Sequence, residues 1–253
     1  MSDTIDAAAT TSTQSASARA VPEVGEAAEV RLSTRDLTRL VQGFYFTFWG
    51  TLAVLAATME SLVVLTMRLF HTTVLAAGLI GMVVGAWRLQ QARGLSAEWN
   101  KHARWLLWVA GAVAYLCPFF YMWRHLPTNL YLLGHAVVFV GGFIYWASLL
   151  DSTIAALGRA VHRRSLVIQS VVFSGVTFVL VVPFLLLAQS MVIAAVQGGD
   201  PLELLQLLLA RVHPVFVLVL LVPFSLSLSL VWAAKDFALE LLTAADTDST
   251  AGS

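Results

Sequence analysis

"LVIQSVVFSGVTFVLVVPFLLLAQSMVIAAV", residues 166–196, contains no Asp, Glu, Lys or Arg. It exceeds the roughly 20 apolar residues that an α-helix needs to cross the hydrocarbon of a bilayer. Five further apolar stretches lie at about 43–67, 72–88, 105–123, 129–150 and 214–234. None of the stretches has the alternating pattern of a membrane β-barrel, and a helix satisfies its backbone groups internally. We therefore predict an all-α, polytopic integral membrane protein with six transmembrane helices arranged in three hairpins.

The composition agrees with a lipid environment. The chain is 58% hydrophobic and 12% charged, whereas soluble domains carry about 25% charged residues. The formal net charge is zero, so no overall field attracts nucleic acid, and the bilayer itself is the expected partner. The single cysteine excludes an intrachain disulfide, and no Cys/His spacing typical of a zinc site is present. We expect neither a metal nor a cofactor.

The polar ends of the chain set the predicted domain limits. Residues 1–32 are rich in Ala, Ser and Thr and lack the apolar core of a signal peptide, so we predict a disordered tail. Ser33 and Asp36 form a capping pair that begins a short interfacial helix leading into the first span. The transmembrane domain is predicted over 33–242. Residues 243–253 are predicted to form a disordered C-terminal tail.

Basic residues indicate the orientation of the spans. Eleven Lys and Arg residues fall on the predicted side of the termini and three on the opposite side. Since cytoplasmic loops carry the excess of Lys and Arg, both termini are predicted to be cytoplasmic. Thirteen of the fifteen basic residues are Arg, and Ala, Leu and Val dominate, which is typical of a GC-rich bacterial genome. The predicted location is the bacterial inner membrane. The segment "LLDSTIAALGRAVHRR", residues 149–164, is predicted to extend the fourth helix beyond its span into the cytoplasm.

The connection between the fifth and sixth spans has strong turn chemistry. In "VQGGDPLELL", residues 196–205, Gly198 suits a left-handed helix C-cap, and Asp200 and Pro201 suit the start of the next helix. Pro183 and Pro214 are candidate bend points. We predict that this hairpin bends over and covers the outer side of the bundle.

Two ionisable residues lie inside the predicted spans at similar depth. Glu60 is about 12 Å below Arg68, and His135 is a similar distance below Asn129. The two side chains form a candidate intramembrane protonation pair, because a buried carboxyl beside an imidazole can share a proton. Alternatively, Glu60 is protonated and only stabilises helix packing, and His135 only hydrogen-bonds a neighbour.

Each outer connection also contains an Arg with a nearby His, and together they form a candidate outer-face cluster for an anion, a lipid headgroup or a metal. The alternative is that these are ordinary interfacial anchors that recur by chance. The members of the candidate outer-face cluster are Arg68, His71, Arg124, His125, Arg211 and His213.

Glycines indicate where helices approach closely. One group lies in "GLIGMVVG", residues 78–85, and includes a GxxxG pair; the other lies in the fourth span. The pattern does not say whether the partner helix belongs to this chain or to another. The predicted packing positions are Gly78, Gly81, Gly85, Gly134, Gly141 and Gly142.

The sequence carries no P-loop, GxGxxG, HExxH or GxSxG motif. A b-type haem is disfavoured because no second His lies at the depth of His135. We therefore predict a non-catalytic accessory or assembly subunit that packs with a membrane protein or with its own copies. The alternative is a small proton-coupled transporter or channel using Glu60 and His135. An intramembrane enzyme is a third class of function, but no set of catalytic residues in the sequence supports it.

Overall fold

A computed structural model describes residues 32–63, 69–92, 94–211 and 214–251, with side chains described for 32–59, 72–92, 94–211, 221–245 and 247. Within these ranges the chain is all-helical. Six helical segments are long and apolar enough to cross a bilayer, which confirms the predicted fold class. The predicted tail over 1–32 lies outside the described residues except for Leu32. The helices are α1 (Thr34–Val63), α2 (Leu69–Gln91), α3 (Ala97–His125), α4 (Leu130–Ala160), α5 (Arg164–Val179), α6 (Val181–Val196), α7 (Pro201–Arg211) and α8 (Pro214–Ala251).

Side-chain caps fix where several helices begin. Ser33 accepts from the Asp36 backbone N–H at 3.2 Å, and Ser96 accepts from that of Trp99 at 3.0 Å. Asn129 accepts from two backbone N–H groups at the start of α4. These side chains satisfy backbone donors that the first turn of a helix leaves without intrahelical partners.

The beginnings of α1, α3 and α5 and the ends of α2, α4 and α8 meet at one end of the bundle, which we call the terminal side. Arg39 of α1 donates to the Gln91 carbonyl of α2 at 3.1 Å, and Trp99 of α3 donates to the Ala92 carbonyl at 2.8 Å. Arg163 and Glu240 form an ion pair at 3.5 Å. The opposite end, where α3 turns into α4 and α6 into α7, is called the far side.

The terminal side contains a densely packed part of the core. The segment "DSTIAALG", residues 151–158, is almost entirely buried, although the sequence predicts that it extends the fourth helix into water. Its neighbours are α3, α5 and α8, which all pack against α4. The fully buried Trp99, Ala103 and Val231 belong to the same core. An extension that looks exposed from hydropathy alone is thus covered by three helices.

The predicted fifth span consists of α5 and α6, separated at Leu180. Leu180 N–H donates to the Thr177 carbonyl at 3.1 Å, a turn tighter than an α-helix. Pro183 has no N–H and its ring clashes with a carbonyl one turn earlier, so the helix is interrupted near this point.

The following turn has the predicted chemistry. Gly198 has φ +80°, and Asp200 accepts from the Leu202 N–H at 2.8 Å. α7 packs on α6 and α1, and Leu205 lines a small apolar cavity together with Trp123 and Leu133 at the far ends of α3 and α4. The short helix therefore covers this part of the far side.

α8 continues to Ala251, whereas the sequence predicts a disordered tail over 243–253. Leu241, Leu242 and Ala245 are partly buried against the core. Because these apolar side chains remain in contact with the terminal side, the helix extends past residue 242.

Candidate functional site

His135 lies in an aromatic environment near the far side. Its ring stacks on Phe119 with centroids 4.5 Å apart and lies 4.3 Å from the Tyr131 ring. Nδ1 is 2.8 Å from the Tyr131 carbonyl oxygen, so this nitrogen carries the proton and donates it. The Glu60 side chain lies outside the described residues, and a Glu60–His135 pair stays a prediction.

The outer-face cluster is only partly described, because Arg68, His213 and the His71 side chain lie outside the described residues. Arg124 is half-buried, and within the described part of the chain its Nε and Nη1 have no hydrogen-bond partner. The adjacent His125 contacts the Tyr121 ring edge-on at 5.0 Å. Arg211 is exposed at the end of α7. No hydrogen bond or ring contact between described side chains joins Arg211 to the other two.

The glycines of α2 are placed against α1 of the same chain. A Cβ at Gly81 would lie 3.1 Å from Gly50 Cα, and one at Gly78 would lie 2.9 Å from the Val54 nitrogen. A Cβ at Gly85 would meet Thr47. The α1 residue Gly50, which sequence reasoning missed, is equally close to α2. This pair of helices is therefore held by direct backbone approach.

The glycines of α4 have different surroundings. A Cβ at Gly141 would lie 3.1 Å from the Phe184 ring, and one at Gly142 would lie 3.1 Å from Val113. Gly134 faces open space, with nothing within 4 Å. Two of the three fourth-span glycines thus allow contact with other helices of the chain.

The structure places a carboxyl inside the bundle that sequence reasoning missed. Asp151 of α4 is fully buried, and Ser227 of α8 donates to its Oδ2 at 2.9 Å. Oδ1 is also buried, and no described residue hydrogen-bonds it. No described cationic side chain forms an ion pair with Asp151. A buried ionisable group without a counter-charge is a candidate site for holding or releasing a proton.

One lateral surface combines exposed aromatics with small residues, and we call it the α2–α3 face. Trp108 and Tyr115 of α3 are 70% and 69% exposed, with the open Gly111 between them. Beside them, a groove of 370 Å³ separates α2 from α3. The face consists of Trp108, Gly111 and Tyr115 together with the groove residues Ala76, Leu79, Ile80, Val83, Val84, Ala114, Cys117 and Pro118.

Tyr115 lies deep in its span. It is nine residues from Arg124 and eleven from Arg104, or about 14 and 17 Å along the helix. Its hydroxyl has no hydrogen bond to any described residue. Tyrosines in membrane proteins concentrate at the two interfaces, where the hydroxyl meets water or headgroups. An exposed hydroxyl near mid-bilayer depth is therefore a polar group that lacks an evident partner.

Among the described residues, no group of three or more His, Cys, Asp or Glu side chains is arranged to hold a metal ion. Comparisons of the chain with protein-family models, with curated proteins and with solved structures give no match.

Proposed function

We propose that this protein is a non-catalytic subunit of a membrane complex and that it packs against a partner helix through the α2–α3 face. The observation that supports this proposal is the exposed Tyr115 hydroxyl near the middle of its span. Lipid tails offer no acceptor at this depth, whereas a partner helix has carbonyl and hydroxyl oxygens. The open Gly111 would let that helix approach closely.

A tightly filled interior supports a structural role over a transport role. Large aromatic side chains occupy the bundle at several levels, and each is at most 2% exposed. A solute path requires a polar, hydrated lining, whereas in the described part of the chain these bulky apolar side chains occupy the interior. These residues are Phe44, Trp99, Phe120, Trp123, Phe139 and Trp146.

Photocrosslinking in cells tests the proposed interface. A benzoylphenylalanine at position 115 or 108 is expected to give a discrete crosslinked product, and Gly111→Leu is expected to abolish it by filling the gap. The same probe at Val172, an exposed position on α5, serves as the control. The product's mass distinguishes a second copy of this chain from a different membrane protein. Equal, diffuse crosslinking from positions 115 and 172 would contradict the proposal.

We also propose that the protein resides in a bacterial inner membrane with its terminal side in the cytoplasm. Support comes from the sequence, in which eleven of the basic residues lie toward the terminal side and three toward the far side. Alkaline phosphatase fusions after residue 127 are expected to be active and fusions after residue 162 inactive. The reverse pattern would overturn the orientation.

Asp151 supports a second candidate, a proton-handling protein. Intramembrane carboxyls are typical of proton relays, and among the described residues only Ser227 donates a hydrogen bond to this one. In proteoliposomes, Asp151→Asn is expected to abolish pH-gradient-driven proton flux, because the amide keeps the shape but cannot ionise. Asp236→Asn, at an exposed site on α8, is the control. Absence of flux in the unmodified protein, or equal flux in both variants, would exclude this candidate.

A further inference from the structure

A polar cavity of 230 Å³ lies between α3, α4 and α5 toward the terminal side. It is smaller than the roughly 300–1,000 Å³ of sites that enclose a whole small molecule, so its size suits one polar group of a larger ligand. We call it the headgroup pocket. Its lining residues are His102, Ser152, Ala155, Arg159, Ser170, Val171 and Ser174.

The headgroup pocket offers one cationic donor, Arg159, and an imidazole acceptor, His102. Arg159 donates from Nη2 and Nε to the two oxygens of Glu98, at 2.6 and 3.1 Å. Its Nη1 has no bond to a described residue and is left for a ligand. His102 Nδ1 is 2.9 Å from the Glu98 carbonyl, so Nδ1 donates there and Nε2 is left over. An anionic oxygen, such as that of a phosphate, matches the remaining Arg159 Nη1, whereas His102 Nε2 accepts a hydrogen bond from a hydroxyl group.

The serines contribute acceptors. Ser152 donates to the Ser148 carbonyl at 3.0 Å, and Ser170 donates to the Leu166 carbonyl at 2.7 Å. With their protons used within their own helices, these hydroxyl oxygens can still accept. Ser174 and Ser148 hydrogen-bond to each other at 3.0 Å. A ligand group that carries hydroxyl donors beside its phosphate therefore satisfies more of the pocket than a bare phosphate does.

The face of α4 that lines the pocket changes from cationic to apolar along the helix. Positions 159, 152, 145 and 138 are seven residues apart and so lie close to one face, about 10 Å from one to the next. They carry Arg159, Ser152, the 55% exposed Tyr145 and the 58% exposed Val138. The polarity of this face therefore falls from Arg159 to Val138, in the same direction as it falls along a phospholipid from its phosphate to its acyl chains.

The depth of the pocket agrees with this order. On α3, Arg104 and Arg124 are 20 residues apart, or about 30 Å, which equals the thickness of bilayer hydrocarbon. Glu98, bonded to Arg159, lies six residues beyond Arg104 and so at headgroup depth. The terminal side carries further exposed cations, Lys101, Arg104 and Arg164, which favour anionic lipid.

We infer that the headgroup pocket binds one anionic glycerophospholipid with a hydroxylated headgroup, of the phosphatidylglycerol class. The phosphate contacts Arg159, a headgroup hydroxyl donates to His102 Nε2, and an acyl chain lies along Tyr145 and Val138. This inference is independent of the partner proposed for the α2–α3 face.

Native mass spectrometry of the full-length protein, titrated with phosphatidylglycerol or phosphatidylcholine, tests the inference. We expect phosphatidylglycerol to bind more tightly, and Arg159→Gln to weaken its binding about fivefold, as the loss of one interfacial charge implies. Arg164→Gln removes an equal charge outside the pocket and is expected to change binding less. Soluble glycerol phosphate is expected not to compete, because it has no acyl chain for the α4 face.

Two further variants keep the test decisive if Arg159→Gln fails to fold. Glu98→Gln removes the carboxylate that competes for Arg159, so it is expected to tighten phosphatidylglycerol binding. Ser174→Leu fills the pocket and is expected to abolish the preference for phosphatidylglycerol over phosphatidylcholine. Equal binding of the two lipids by the unmodified protein would overturn the inference. So would equal losses for Arg159→Gln and Arg164→Gln, or weaker binding by Glu98→Gln.

Discussion

At the scale of single residues, Trp99 holds the terminal side together. It is fully buried, its Nε1–H donates to the Ala92 carbonyl just beyond the end of α2, and its ring contacts Phe44 edge-on at 6.5 Å. One side chain thus joins α1, α2 and α3. The hydrogen bond satisfies a carbonyl at a helix end that would otherwise be buried without a partner.

Trp99→Phe is expected to lower the free energy of unfolding by about 1–3 kcal/mol, because the Ala92 carbonyl loses its donor while remaining buried. The measurement is reversible unfolding in mixed micelles, followed by circular dichroism. The matched control is Trp108→Phe at a 70% exposed position, expected to change stability by less than about 0.5 kcal/mol. Similar losses in both variants would show that the Trp99 hydrogen bond is not the cause.

Residue-scale prediction from sequence was the least complete. The depth of Glu60 within its span makes it a candidate site, whereas the sequence predicts Asp151 to lie in a water-exposed extension because it follows the predicted span directly. Its burial depends on Ser227, 76 residues away, and no local pattern reports such a contact. A signal was nevertheless present, since Leu150, Ile154 and Leu157 flank Asp151 at helical spacing and predict a buried face.

At the scale of elements, the α1–α2 hairpin depends on close backbone approach. The GxxxG pattern predicted tight packing of α2, and the structure identifies α1 as the neighbouring helix. Gly50, which lies outside any such motif on α1, makes the closest approach to backbone atoms of the neighbouring helix. A Cβ there would lie 2.5 Å from the Met82 nitrogen and 2.7 Å from the Gly78 carbonyl oxygen. Backbone atoms cannot move aside as a flexible side chain can.

Gly50→Ala is therefore expected to separate α1 from α2 and to destabilise the protein by about 1–3 kcal/mol, the usual cost of overpacking. Gly134→Ala provides the control, because nothing lies within 4 Å of its new methyl group. It is expected to be neutral or to stabilise by up to about 1 kcal/mol through higher helix propensity. Thermal unfolding of both variants in the same detergent makes the comparison. If Gly50→Ala is as stable as Gly134→Ala, the contact is looser than described.

Turn chemistry was the most predictable feature at this scale. Gly198 takes its positive φ, and Asp200 caps α7, because both preferences are local properties of the residues. The end of α8 was not predictable in the same way. The sequence past residue 242 looks like a tail, and its helix is stabilised by contacts with the terminal side that only the folded chain provides.

At the scale of the whole molecule, six helical segments of sufficient length and apolarity follow directly from hydropathy. Hydropathy does not show which of these segments are buried inside the bundle and which face outward. The candidate span over α5 and α6 has only 11% of its most apolar window buried, while those of α1 and α4 have 50%. α1 and α4 therefore form the centre of the bundle, joined by the hydrogen bond from Trp146 to Thr51 at 3.3 Å.

The central claim is that this interior is closed by packed side chains and that the protein acts through its lateral surfaces. Cysteine accessibility in membranes tests it most directly. In a Cys117→Ala background, cysteines replace the buried Ala110 and Ala147, and exposed Ser165→Cys serves as the positive control. A membrane-impermeant, charged thiol reagent is applied from each side in turn.

We predict that the Ser165→Cys protein is labelled from one side, and that cysteines 110 and 147 react only after denaturation in detergent. Rapid labelling of either buried position in the folded protein would reveal a water-filled path through the bundle. That result would contradict the account and would favour proton or solute movement through the interior.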